Sequence, residues 1–120
     1  MKKYKNEELA RTAAAIINQH NATVNTMLLK IKGKYFGFQP NIPRQKKSLS
    51  KLSDERSQEL MMAFQAAYEF LSAHGAILLV CFTNLNEGGG IVHLSEEGYA
   101  ERETAMAQLQ KMEEPYAKIS

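Results

Sequence analysis

Four cations, Arg44, Lys46, Lys47 and Lys51, fall within residues 39–51, and Lys30, Lys32 and Lys34 precede them. Lysine and arginine neutralise phosphates and release condensed counterions, which gives binding that weakens with salt and ignores base sequence. Tyr35, Phe36 and Phe38 stand among these cations. Their rings either stack on bases or belong to a core. Arg56, followed by Ser57 and Gln58 and later by Gln65, adds groups that can reach phosphates or base edges. Glu55 and Glu59 set negative charge beside them. The polyanion these residues fit is double-stranded DNA, with residues 39–51 as its main contact.

No other chemistry assembles from the sequence. His20, His74 and His93 are far apart, no His-Glu-x-x-His motif occurs, and Cys81 is the single cysteine. That spacing predicts no metal site, and no cofactor is expected. Cys81 lies in the apolar run 76–82 and is read as a buried thiol from a reducing compartment. Gly88-Gly89-Gly90 lacks the Lys-Ser/Thr ending of a phosphate loop and leads into a strand, so it is read as a hairpin turn. Glu96, Glu97, Glu101 and Glu103 are expected to form a solvated helix face. No nucleophile, base and oxyanion donor come together, so an enzyme is not expected.

Charge is divided unevenly along the 120 residues. Residues 1–53 hold eleven Lys/Arg against two acids, a balance of +9, whereas residues 54–120 hold four against eleven, a balance of −7. A basic half suits a polyanion, and an acidic half suits solvent or a basic partner. The basic start runs into Asn6-Glu7-Glu8 rather than an apolar stretch, so no secretory signal is read. The longest wholly apolar run, 76–82, is far too short to cross a membrane. The expectation is one cytoplasmic domain over residues 1–120 with a basic loop at 39–52.

The elements that must hold these groups follow from periodicity. Residues 6–20 predict a helix capped by Asn6, with Leu9, Ala13, Ile16 and Ile17 on one stripe. Residues 22–38 admit two readings. Val24, Met27, Leu28 and Ile31 fit a helix ending near Lys32, and this is preferred; alternatively, 27–31 and 34–38 pair as strands around Lys32-Gly33. Ser53 caps a third helix to about His74, with Gly75 after it and Leu60, Met61, Phe64, Ala67, Tyr68 and Leu71 on its apolar side. Residues 77–83 and 90–94 predict a hairpin whose first strand is covered on both faces or lies at a dimer seam. Ser95 caps the last helix, 96 to about 113, with Pro115 at its end. Leu94 and Tyr99 hold the positions of a hydrophobic staple.

Gly90-Ile91-Val92-His93-Leu94-Ser95-Glu96-Glu97-Gly98-Tyr99 resembles the exit of the wing in winged helix-turn-helix proteins of the multiple-antibiotic-resistance-regulator type. There a wing strand runs into a Leu-Thr/Ser-x-x-Gly turn and a last helix. The resemblance covers about residues 54–112. It implies a mainly α fold with a small β-hairpin, in the order helix, helix, helix, hairpin, helix. It also implies that residues 54–74 hold the recognition helix, where Arg56 is the single Lys or Arg. The expected function is a dimeric DNA-binding protein, a small transcriptional regulator or a plasmid or phage locus-binding protein. Its cations would be Lys30, Lys32, Lys34, Arg44, Lys46, Lys47, Lys51 and Arg56. The alternative is a protein-binding adaptor or inhibitor that uses the acidic helices, and the alternative fold is α+β with an extra hairpin at 27–38.

Overall fold

The computed structural model describes residues 4–40, 52–85 and 90–117, with side chains as far as residue 111. Arg44, Lys46, Lys47 and Lys51 lie outside the described residues. The fold is α+β, which corrects the expected mainly α, helix-helix-helix-hairpin-helix order. The correction begins at the second element. In place of a helix the chain forms β1 (Ala22–Ile31) and β2 (Lys34–Phe38), paired antiparallel with Ile31 opposite Lys34. The two residues between them, Lys32 at φ 52° and Gly33 at φ 77°, make a two-residue turn whose twist matches the strands. Val24, Thr23 and Thr26 favour extended backbone, and Leu28 and Leu29 face opposite sides of the sheet rather than one helix stripe.

β1 also pairs with β3 (Ala76–Leu85), and β3 pairs with β4 (Gly90–Leu94), giving one antiparallel sheet in the order β2-β1-β3-β4. β3 is therefore an interior strand, covered on both faces rather than open at a seam. Leu78 and Cys81 belong to one core, and Leu79 and Val80 to the other.

Two helices make the larger core. α1 (Asn6–Asn18) begins after Lys5, which makes no side-chain cap, so Asn6 is not the cap expected of it. Leu9, Ala13 and Ile17 of α1 meet Leu60, Phe64, Ala67 and Leu71 of α2 (Asp54–Ala73) over Val24, Met27, Leu29 and Leu78. Ser53 caps α2 by accepting from the Arg56 N–H at 3.2 Å, and Gly75 follows it at φ 82°, both as the sequence predicts. α1 packs over β1 and the near side of β2, and α2 packs over β3.

The opposite face carries a smaller core. The expected last helix is two helices, α3 (Glu96–Ala100) and α4 (Arg102–Ala117), broken at Glu101. α4 continues past Pro115 instead of ending there. Ala105 and Leu109 of α4 pack on Leu28, Leu79 and Val80. α3 is seated by a register irregularity in the sheet: Leu28 pairs with Val80 and Leu29 with Leu78, so Leu79 is the extra residue. Its carbonyl accepts from the Ser95 N–H at 3.1 Å. Gly98 lies so close above it that an added Cβ would sit 2.0 Å from that oxygen.

Candidate functional site: the groove over β4

α2 reaches the last strand where Phe64 meets His93. Beside α2, where a further covering element would lie, is a groove of about 450 Å³ lined by Met61, Phe64, Gln65 and Tyr68 of α2 and by His93 to Glu97 of the β4–α3 corner. His93 faces α2 because it alternates with Val92 and Leu94 along the strand. Its ring stacks on Phe64 with centroids 5.1 Å apart, and this burial pushes the imidazole below its ordinary pKa. Ser95 caps α3 by accepting from the Gly98 N–H at 3.0 Å, which turns the chain sharply and brings Glu97 back toward α2.

Glu97 is the anchored charge of the groove. Its Oε1 accepts from the Tyr68 hydroxyl at 2.7 Å. That bond holds the carboxyl below the usual carboxylate range, with smaller help from its own N–H and the Ser95 hydroxyl, and it raises Tyr68 in turn. The second oxygen, Oε2, is buried and finds no hydrogen-bond partner among the described residues. The carboxylate as a whole is half-buried, so it lends the groove negative charge although Oε2 itself is closed to solvent. Around the groove Met61 is 63% exposed, and Met62 on the same helix is 72% exposed. Leu94, which also lines the groove, is exposed as well.

The expected DNA contacts are dispersed. Lys30 donates to Glu101 Oε1 at 2.9 Å, and Tyr35 donates to Glu101 Oε2 at 2.6 Å. This pairing raises the Lys30 pKa, and the Tyr35 bond, then Lys30, lowers that of Glu101. Arg56 caps the other end of β1, donating to the carbonyl of Asn21 at 2.9 Å, to that of His20, and to Glu59 at 2.9 Å. His20, then Arg56, holds Glu59 below its ordinary pKa. Lys32 and Lys34 are exposed at the β1–β2 turn. A ten-residue strand spans roughly 33 Å, so Arg56 and the turn lysines do not share one patch. Of the candidate stacking rings, Phe38 is buried and Phe36 packs on the larger core, while Tyr35 packs on the smaller.

The groove residues were read from the sequence in other roles: Met61 and Tyr68 as core, Glu97 as part of a solvated helix face. One signal for the groove was present. Leu60-Met61-Met62 are consecutive on a helix, and at about 100° per residue three neighbours cannot share one buried stripe. Among the described residues no group of histidine, cysteine and carboxylate side chains is arranged to hold a metal, and no helix is long and apolar enough to cross a membrane. Comparison with protein-family models, with curated proteins and with solved structures gives no match.

Proposed function

We propose that this chain is a protein-binding module, an adaptor or inhibitor that engages its partner through the groove over β4 and the side chains around it. The observation that carries this reading is a groove lined by Met61, Phe64, Tyr68 and Leu94, of which Met61 and Leu94 are exposed, on the α2 and β4–α3 elements that frame it. Single exposed apolar side chains are ordinary, whereas several around a concave site are typical of an interaction surface. The charge fits a protein rather than DNA. α2 carries Asp54, Glu55, Glu59 and Glu69 against Arg56, and Glu96 and Glu97 line the groove. Such a surface repels phosphates and attracts a basic partner.

The test is affinity capture from cell extract with the full chain as bait, beside Met61→Asp/Met62→Asp and Lys32→Ala/Lys34→Ala, with captured proteins identified by mass spectrometry. A stoichiometric protein lost with the methionine variant and retained with the lysine variant is the expected result. Equal capture by all three baits would remove the groove from the reading.

A second reading, a cytoplasmic DNA-binding protein, is supported by the +9 balance of residues 1–53 and by exposed Lys32 and Lys34. It requires affinity for a generic duplex that falls with salt at a log-log slope of roughly −0.9 per phosphate neutralised. Changing Arg44, Lys46, Lys47 and Lys51 to Ala should then flatten that slope.

A further inference from the structure

β4 is an edge strand, hydrogen-bonded to β3 on one side and, among the described residues, to no strand on the other. Its five residues, Gly90 to Leu94, include neither Lys, Arg, Asp, Glu nor Pro, the residues that ordinarily block pairing at an edge. The groove adjoins it, with Phe64 and Tyr68 on its α2 wall and Glu96 and Glu97 among its lining. An unpaired strand edge supplies backbone donors and acceptors, an apolar trough accepts alternate side chains, and carboxylates at its lining attract a cation.

We propose that an extended segment of a partner protein adds to the β4 edge as a fifth strand, sets apolar side chains between Met61, Phe64 and Tyr68, and places an Arg or Lys beside the Glu96 and Glu97 carboxylates. This deepens the protein-binding reading and rests on it. Charge complementarity selects a basic segment over a second copy of this chain. In a symmetric antiparallel β4 pair, residues just before Gly90 of one copy would run toward Glu97 of the other, and that stretch of sequence carries Glu87 and no Lys or Arg.

The test uses the full chain and a displayed library of random twelve-residue peptides. Enriched peptides should alternate apolar residues and share an Arg or Lys. Bound peptide should slow amide exchange across Gly90 to Leu94. Replacing that Arg or Lys by Gln in the peptide should weaken binding roughly tenfold, the size expected for one charge-assisted hydrogen bond. Glu97→Gln in the protein should do the same, and the peptide substitution gives this readout even if that variant folds poorly. Absence of enriched peptides, a peptide that binds as a helix, unchanged affinity without the cation, or unprotected β4 amides each overturns strand addition. Self-association through β4, seen as concentration-dependent sedimentation with protected β4 amides, overturns it in favour of a second copy. Loss of captured protein with Met61→Asp/Met62→Asp would survive any of the first four results, so the two readings fail separately.

Discussion

β2 and β4 are the two edges of one sheet, each five residues long, and they are guarded differently. β2 starts with exposed Lys34, has α4 packed against it, and is tied to the α3–α4 junction through the Tyr35 bond to Glu101. β4 is met by α2 at His93, carries no Lys, Arg, Asp or Glu, and leaves Val92 and Leu94 exposed. Charge and cover are the usual defences of an edge. The edge without charged side chains is the one beside the groove, so the asymmetry separates a structural border from a surface available for recognition.

The largest test of this contrast is at the seat of α3. Gly98→Ala drives a methyl group into the Leu79 carbonyl and should cost about 3 kcal/mol in urea unfolding, because backbone cannot move aside as a flexible side chain can. A loss under about 1 kcal/mol would mean that α3 does not depend on the Leu79 contact. Leu109→Ala should cost about 2 kcal/mol, less than a deep-core leucine because the small α4 layer can partly collapse. Hydrogen exchange in that variant should quicken in β2 more than in β4; equal quickening would show that α4 does not guard β2.

Acid provides the smallest and most reversible perturbation. His93 has a lowered pKa in the folded protein, so the unfolded chain takes up that proton first, near its ordinary value of about 6.5. Folding stability is therefore intact above that pH and declines as pH falls from there to the folded pKa of His93. Glu101 also has a lowered pKa, so its contribution is present above the ordinary carboxylate value and is lost only as pH falls through its folded pKa. Mild acid should loosen β4 before β2. His93→Phe should abolish the first step of a thermal-stability profile against pH, and a step that persists would assign it to another group.

The sequence made α2 legible because its signals agree: Ser53 as cap, acids in the first turn, apolar residues at helical spacing, and Gly75 after the end. The β3–β4 hairpin was legible for the same reason. β1 and β2 were not, because Met, Leu and Lys suit a helix and the decisive turn is Lys32-Gly33 rather than the familiar Asn-Gly. Pairing with β3 along nearly the whole length of β1, a long-range contact, outweighs local propensity there. The groove was legible only as surplus methionine. Its defining property is the open space left between α2 and the β4–α3 corner among the described residues, and that depends on where α1 and α2 land on the sheet.

Cys81 lies at the centre of this sheet, fully buried, with its thiol pushed up to about 12 by the absence of water. As the chain's single cysteine it reacts with alkylating reagents only when β3 is exposed to solvent. The protein thus carries its own opening clock: the rate of thiol labelling in native buffer counts how often the sheet comes apart. A ligand that braces β4 against β3 should slow that clock without touching the sulfur.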